Sequence, residues 1–188
     1  MRARAAAAAA TAEGILDAAV QVFWELPTDQ FSLNQVARHA GVTVQTVIRR
    51  FGGREGLIAA AARRETIRVE AQRAHAPVDD LDRAVAVLVD HYEELGDRVV
   101  KMLAEEARNP GLRQISEHGR QVHRAWCERV FAPTLTRVAL ADRSRRLAQL
   151  VAVCDVYTWK LLRRQAGLSR QQTELAMVEL LQPLLEAA

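Results

Sequence analysis

The sequence predicts an all-α protein, with an N-terminal domain of three helices followed by a larger helical domain. Apolar residues recur at intervals of three and four along most of the 188 residues, which is the spacing of one helix face. No segment shows the sustained alternation of apolar and polar residues that is typical of strands. Capping residues, glycines and prolines divide the pattern into separate helices. We place an arm at residues 1–11 and domains at residues 12–53 and 54–188.

The first eleven residues, MRARAAAAAAT, are low in complexity and include Arg2 and Arg4. We interpret them as a flexible arm whose alanines can also extend the helix that follows. Thr11 is a candidate N-cap for that helix, and Pro27 is expected to end it. Its apolar face contains Ile15, Ala19, Val22 and Phe23.

Two short helices follow, and each has a candidate cap at its start. Ser32 and Gln35 have the spacing of a capping box, and the apolar stripe after them ends at Gly41. Thr43 is the candidate cap of the next helix, which ends at the glycine pair 52–53. Gly41 allows a tight turn with a positive φ between the two helices. This is the helix-turn-helix pattern, in which the second helix points outward.

Positive charge is concentrated in the first third of the chain. Residues 1–64 contain eight arginines and five acidic residues, whereas the remaining 18 basic and 18 acidic residues cancel. Residues 34–54 contain four arginines and no acidic residue. Such a segment favours a polyanionic partner such as nucleic acid. An ordinary solvated surface can have the same composition, so the charge alone does not show that this segment binds nucleic acid.

The third helix is therefore the candidate DNA-reading element. A helix fits the major groove, where side chains near its start contact base edges and arginines contact phosphates. Val47 is expected to face inward. The candidate DNA-binding residues are Ser32, Thr43, Val44, Gln45, Thr46, Ile48, Arg49, Arg50 and Arg54. A packed three-helix unit without a DNA-binding role remains the alternative at this point.

Residues 15 to 58 resemble the N-terminal DNA-binding domain of TetR-type (TetR/AcrR) transcriptional regulators. The resemblance rests on ILDAAVQVF, SLNQVARHAG, VTVQTV, RRF and GREGLI, in this order. It implies a homodimer that binds a palindromic operator in double-stranded DNA, usually as a repressor that a small molecule releases. The rest of the chain is similar to the family only in its layout of long helices, so the resemblance does not imply a particular effector.

Three positions differ from the family pattern. Pro27 stands where a glycine is usual, Ile48 where a tyrosine is usual, and Arg54 where a lysine is usual. Ile48 can contact a thymine methyl group but cannot donate a hydrogen bond. Arg54 keeps affinity for phosphate and adds a fork of donors. We therefore expect DNA binding to be kept, with an unusual operator.

The C-terminal domain is predicted to consist of long amphipathic helices. Gly96 is expected to interrupt one of them. Another is expected to run from Asp142 to Gly167 without a break. Ser169 and Gln172 repeat the capping-box spacing and predict the start of the last helix.

Aromatic and sulfur-containing side chains of the middle helices suit an apolar small-molecule effector. The candidates are Tyr92, Met102, His123, Trp126, Cys154 and Tyr157. The last two helices carry more apolar surface than one core face needs, which favours a dimer interface. Its candidates are Trp159, Leu162, Leu175, Val178 and Leu181. All of these residues can instead fill a monomer core, and both interpretations stay open at this point.

Other classes of function find little support. The short motifs of nucleophilic, zinc-dependent and nucleotide-binding enzymes do not occur, so we expect no enzyme activity and no cofactor. Cys127, Cys154 and five scattered histidines predict neither a disulfide nor a metal site. No apolar run reaches the roughly 18 residues of a membrane span, so we expect a cytoplasmic protein. The alternative to a specific regulator is a sequence-tolerant architectural DNA-binding protein without an effector.

Overall fold

The structure is a computed structural model that describes residues 2–26 and 30–186. Within these residues it is helical and has no strand, which confirms the predicted fold class. The helices are α1 (Arg2–Glu25), α2 (Leu33–His39), α3 (Val44–Phe51), α4 (Arg54–Arg73), α5 (Leu81–Glu105), α6 (Pro110–Val130), α7 (Ala132–Arg137), α8 (Leu140–Val153), α9 (Val156–Lys160) and α10 (Arg170–Glu186). A 3₁₀ turn at Glu106–Arg108 follows α5, and a π-helical turn at Leu161–Gln165 follows α9. Pro27, the predicted end of the first helix, lies outside the described residues.

The chain divides into two compact units, Met1–Ile67 and Arg68–Ala188, called unit 1 and unit 2 below. The division falls inside α4, whereas the sequence places the domain boundary before that helix. The difference arises because the start of α4 contributes Leu57, which is fully buried, to the core of unit 1.

Unit 1 is built around the buried face of α1. Ile15 and Val22 of α1 are fully buried, as are Val36 of α2, Val47 of α3 and Leu57 of α4. These side chains belong to one apolar cluster. Full burial of a side chain of this size contributes about 1.5–3 kcal/mol relative to exposure. The cluster therefore fixes α2 and α3 against α1 and α4.

α1 begins earlier than the predicted cap. It starts at Arg2, so the alanine-rich segment continues the helix and Thr11 is not its N-cap. The Thr11 hydroxyl instead donates to the carbonyl oxygen of Ala7 at 2.9 Å. Alanine has the highest helix propensity, and nothing among these residues stops the helix. By length and composition Ala6–Glu25 also qualifies as a membrane span, but its apolar face packs in the core of unit 1.

Unit 2 has its own core, centred on Trp159 of α9. The Trp159 side chain is fully buried, and its ring lies 5.9 Å from the ring of Tyr92 in α5. The indole Nε1 donates to a carboxylate oxygen of Glu93 at 3.1 Å. Leu150 and Met177 are fully buried in the same cluster. The core thus joins α5, α8, α9 and α10.

Gly96 lies inside α5, so the predicted interruption at this residue is wrong. The helix continues unbroken on both sides of it. Gly96 is buried, and a Cβ atom at this position would lie 2.5 Å from Cζ3 of Trp159. The glycine is therefore present because the indole ring lies directly against the helix backbone.

The predicted helix from Asp142 to Gly167 is also not continuous. It consists of α8, α9 and the π-helical turn. The break is stabilised by Asp155, whose carboxylate accepts a hydrogen bond from the backbone N–H of Tyr157 at 2.9 Å and so caps α9. Gly167, with a φ of 71°, follows the π-helical turn. It ends the helical segment, as predicted.

Side chains stabilise both ends of α10. The backbone N–H of Ser169 donates to Oε1 of Gln172 at 2.9 Å, and the N–H of Gln172 donates to Oγ of Ser169 at 3.2 Å. This confirms the predicted capping box. At the other end, the buried Arg146 donates to the carbonyl oxygen of Leu184. A cation near the last carbonyl groups is favourable for a helix.

Candidate nucleic-acid interface

A tight turn joins α2 and α3. Gly41 has a φ of 63°, in the left-handed region that favours glycine. The backbone N–H of Val42 donates to the carbonyl oxygen of Ala37 at 2.9 Å, which closes the turn. Ala37 is buried, so its small side chain suits the place where the two helices pack together. The turn has the features expected of a helix-turn-helix motif.

Both helices of the motif begin with side-chain caps. The backbone N–H of Ser32 donates to Oε1 of Gln35 at 3.0 Å, and the N–H of Gln35 donates to Oγ of Ser32 at 3.4 Å. Oγ1 of Thr43 accepts from the backbone N–H of Thr46 at 3.2 Å. Gly52, with a φ of 76°, ends α3 in the left-handed region. Local contacts therefore define both ends of α3, as the sequence predicts.

α3 presents an exposed face with no negative charge. Val47 is fully buried, whereas Gln45, Arg49 and Arg50 are exposed and the Ile48 residue is 40% exposed. The helix contains no acidic residue. Residues three and four positions apart lie on the same side of a helix, so the side chains at 45, 48 and 49 are neighbours. We call the exposed residues Gln45, Ile48, Arg49 and Arg50 the α3 face below. They combine an amide, an apolar side chain and two cations.

Two predicted contact residues are less available than expected. The sequence predicts an outward position for Val44, but this side chain is partly buried and packs against the core of unit 1. The hydroxyl of Thr46 lies 3.0 Å from the hydroxyl of Thr43, so it takes part in the cap of α3.

Arg54 lies next to Ser32 at the edge of the motif. Its Nε donates to the carbonyl oxygen of Phe31 at 3.3 Å, and its guanidinium carbon lies 5.6 Å from the centre of the Phe31 ring. Arg54 as a whole remains exposed. The contact with Phe31 holds the cation beside the first residues of α2. The predicted contact of Arg54 with a phosphate stays a prediction.

In unit 2, four of the six predicted effector residues meet in the core: Tyr92, His123, Trp126 and Cys154, all of them buried. The Tyr92 hydroxyl donates to the carbonyl oxygen of Cys154 at 2.8 Å. The other two lie elsewhere. Tyr157 is 47% exposed, outside this buried cluster, and Met102 is half-buried. Tyr157 points outward because α9 begins anew after Asp155, which changes the helix face from the one expected for a continuous helix.

Two buried polar residues of this region were not predicted. Arg73 is 5% exposed and His91 is 4% exposed. Burial, together with the positive charge of Arg73, lowers the pKa of His91 to about 2, so this ring is neutral. The sequence does contain a signal for His91, because it shares a helix face with Leu88 and Leu95, both buried. For Arg73 the helical pattern contains no comparable signal.

The two cysteines also meet in the core of unit 2. Cys127 and Cys154 are fully buried and are not bonded to each other. A hydrogen bond between the thiols lowers the pKa of Cys127 and raises that of Cys154, whose burial acts in the same direction. Within residues 2–26 and 30–186, no three His, Cys, Asp or Glu side chains are grouped so that they could hold a metal ion.

Unit 2 has a shallow groove of about 130 Å³. It is lined by residues 77–81, 130, 131, 133, 134 and 185. Pockets that hold drug-sized ligands usually have volumes of about 300–1,000 Å³. None of the predicted effector residues lines the groove, and its size does not suit such a ligand.

The predicted dimer residues divide between the core and the surface of unit 2. Trp159 and Leu181 are fully buried and Val178 is 5% exposed, so these three fill the core of unit 2. Leu162 is half-buried, and Leu175 is 57% exposed. Three further apolar residues are exposed on the same elements, and the sequence did not single them out for this role. Together with Leu175 they are the exposed apolar residues of these elements, and we use the name α9–α10 face for this set: Tyr157, Leu161, Leu175 and Leu180.

Comparison with known proteins agrees with this geometry. Residues 15–61 match the model of the bacterial regulatory proteins of the tetR family. This segment runs from the buried Ile15 of α1, through the helix-turn-helix motif, into α4. No protein with a curated function matches the chain significantly in sequence.

Solved structures resemble the whole chain. A transcriptional regulator from Rhodococcus sp. Rha1 has a TM-score of 0.71 and 20% identity, over 94% of this chain and 97% of that chain. FadR from Bacillus subtilis, solved in complex with stearoyl-CoA, has a TM-score of 0.68 and 18% identity, over 90% and 96%. SmeT, solved as a complex with triclosan, has a TM-score of 0.69 and 21% identity, over 93% and 91%. At these identities the likeness shows a shared fold. Residues 15–61 are therefore similar to the DNA-binding segment of the tetR family, and the whole chain shares the fold of solved TetR-family transcriptional regulators.

Proposed function

We propose that the protein is a cytoplasmic homodimeric repressor that binds a palindromic operator in double-stranded DNA and is released by an apolar small molecule. The α3 face supports the DNA-binding part of this proposal most directly. It is exposed, carries two arginines and contains no acidic residue. A helix with its side chains is about 10–12 Å across, close to the roughly 12 Å width of the major groove.

The residues of the α3 face suit different contacts. Gln45 can pair with N6 and N7 of adenine, and Arg49 with O6 and N7 of guanine. Ile48 offers an apolar surface to a thymine methyl group. Arg50, at the end of α3, and Arg54, fixed by Phe31, are assigned to phosphates, which position the protein without reading sequence.

The energetics of DNA binding favour a dimer. A specific complex buries about 1,000–2,500 Å² of protein surface, which is more than one short helix provides. Two copies related by a two-fold axis bind half-sites about 34–36 Å apart. The α9–α10 face supports a second copy of the chain as its partner, because four large apolar residues are 47–57% exposed there. Several large exposed apolar residues on elements that pack together favour an interface.

Leu175→Glu is expected to convert the dimer into a monomer, because it places a charge in an apolar interface without a partner. Leu140→Glu is the matched control, since Leu140 is 81% exposed but lies on α8, outside the α9–α10 face. Size-exclusion chromatography with light scattering at micromolar protein concentration measures the difference. A monomeric wild-type protein, or a dimeric Leu175→Glu variant, would contradict the proposed interface.

Solved relatives support control by a small molecule, because FadR was solved with stearoyl-CoA and SmeT with triclosan. In this chain the cluster around Tyr92 and Trp126 is buried and combines apolar side chains with a few polar groups, which is the composition of ligand sites. A ligand that binds one arrangement of the dimer better than another shifts the population between them. The effector is then expected to lower operator affinity, and the operator to lower effector affinity by the same factor.

Selection of bound sequences from a random DNA pool tests the proposal. We expect a palindromic sequence with half-sites one helical turn apart, bound at least about 10³-fold more tightly than random DNA. Equal competition by random DNA would instead support the sequence-tolerant architectural alternative. The salt concentration must be the same in both measurements, because non-specific affinity depends strongly on it.

A further inference from the structure

A buried arginine in unit 2 has no carboxylate partner in the described part of the chain. Arg73, the last residue of α4, is 5% exposed. Its Nη1 lies 3.2 Å from Nδ1 of His123, and its guanidinium carbon lies 5.5 Å from the Tyr92 ring and 5.9 Å from the Trp126 ring. Contacts with aromatic faces offset only part of the cost of burying a charge. A fully buried arginine is rare unless an anion is paired with it.

Among residues 2–26 and 30–186 no carboxylate pairs with Arg73, and its two histidine neighbours are neutral. A guanidinium group only donates hydrogen bonds, so Nδ1 of His123 must accept one, and Nε2, at 3.3 Å from the carbonyl oxygen of Val151, must donate. His123 is therefore neutral, with its proton on Nε2. His91 is also neutral, because burial lowers its pKa. Cys127 approaches this cluster through His123, with Sγ 3.8 Å from Nε2.

One edge of the guanidinium has a donor that the described structure leaves unused. Nη1 is engaged with His123, whereas Nε is buried and makes no hydrogen bond in the described structure. Nε and Nη2 form the side edge of the guanidinium fork, which matches both oxygens of a carboxylate. Because neighbouring side chains cover Nε, a ligand reaches this edge only when they move.

We propose that Arg73 binds the carboxylate of an apolar monocarboxylic acid, which is the effector class of this protein. The inference rests on the proposed function, since it names the ligand of the regulated site. A monoanion matches the single positive charge of the Arg73 guanidinium. The faces of Tyr92 and Trp126 contact the apolar part of the ligand.

The same residues hold the C-terminal end of α4. Nε1 of Trp126 donates to the carbonyl oxygen of Arg73 at 3.1 Å, and Nη2 of Arg129 donates to it at 3.0 Å. A carboxylate that displaces the Trp126 ring therefore disturbs the hydrogen bonds that end α4. α4 begins at Arg54, directly after the glycine pair that follows α3, so ligand binding acts on a helix continuous with the DNA-binding unit.

The test measures direct binding by the full-length protein, without DNA. The probes are octanoate, hexadecanoate, phenylacetate and naphthylacetate, each paired with its primary amide. Calorimetry and thermal unfolding are used on wild type, Arg73→Gln and Arg124→Gln. Arg124 is the matched control because it follows His123 in α6 but is exposed and pairs with Glu128.

We expect at least one acid to raise the unfolding temperature of wild type and of Arg124→Gln. Wild type is expected to bind the amide about 10- to 100-fold more weakly than the acid, because charged hydrogen bonds are lost. The Arg73→Gln variant is expected to bind the acid more weakly than wild type does, by a similar factor. Equal binding of acid and amide, unchanged acid affinity of Arg73→Gln, or no binding by any acid would overturn the proposal. Circular dichroism checks that each variant is folded.

Two further readouts separate this proposal from its rivals. Without ligand, Arg73→Met is expected to unfold at the same or a higher temperature than wild type, since it removes an unpaired buried charge. A large decrease in the unfolding temperature would mean that Arg73 is structural.

The Arg73→Gln variant is expected to bind operator but not to be released by the acid. If the acid binds through Arg73 but no specific operator exists, the proposed function fails alone; if a specific operator exists but no acid binds, the assignment of Arg73 fails alone.

Discussion

Gly96→Ala is expected to destabilise unit 2 by about 1–3 kcal/mol, the usual range for an overpacked core. At this position the new Cβ atom would lie 2.5 Å from Cζ3 and 2.7 Å from Cη2 of Trp159. These atoms belong to a rigid ring that is fully buried and hydrogen-bonded to Glu93, so the ring or the helix must shift. The loss exceeds the gain of about 1 kcal/mol that alanine brings to a helix interior in place of glycine.

Gly119→Ala is the matched control for this prediction. Gly119 lies in the middle of α6, and a Cβ atom there meets nothing within 4 Å. This variant is expected to be more stable than wild type by about 0.5–1 kcal/mol, since only the propensity gain applies. Chemical denaturation at one fixed protein concentration measures both variants. If both substitutions stabilise the protein, the close packing of Trp159 on α5 is wrong.

A second substitution shows whether the effect comes from the ring. Trp159→Phe leaves a smaller ring opposite Gly96, so the Gly96→Ala substitution is expected to cost less in this background than in wild type. The double-mutant cycle then shows a favourable coupling of about 0.5–3 kcal/mol, the range found for residues in contact. Additive effects would indicate that Gly96 is required for another reason.

Arg49→Ala is expected to weaken operator binding by about 1–3 kcal/mol for each half-site, and so by about 2–6 kcal/mol for the dimer. Arg49 is exposed in the last turn of α3, beside Gln45 and Ile48, and its side chain makes no contact that the core of unit 1 requires. The fold is therefore expected to be unchanged. Fluorescence anisotropy with the selected operator measures the loss of affinity.

Arg63→Ala is the control for the loss of charge. Arg63 is exposed on α4 in unit 1, outside the α3 face. Its removal is expected to lower affinity for operator and random DNA by a similar small factor, because any loss of positive charge reduces the electrostatic part of binding. If Arg49→Ala and Arg63→Ala reduce specific binding equally, the assignment of Arg49 to base recognition is wrong.

Features set by neighbouring residues were predictable from the sequence. The capping boxes at Ser32 and Ser169 and the positive φ of Gly41 involve chain segments of a few residues, and the structure confirms all three. The exposed positions on α3 followed from helix periodicity around Val47. These signals were sufficient for the fold class and for most of the α3 face.

Features set by distant residues were not predictable in the same way. Gly96 resembles a helix breaker until Trp159, far away in the chain, is known to lie against it. Trp159 was equally suitable for a core or an interface, because one sequence does not show which apolar faces cover each other. Arg73 resembled an ordinary surface arginine, since its burial depends on side chains from α5 and α6.

The base preferences of wild type and Gln45→Ala test the central claim most directly, because that claim is that the α3 face reads base pairs. Every base pair of the selected operator is replaced in turn, and the affinity of both proteins is measured at one salt concentration. Gln45→Ala is expected to lose discrimination, by about 1–3 kcal/mol, at one base pair in each half-site and to keep it elsewhere. Identical preferences for the two proteins at every position would contradict the account.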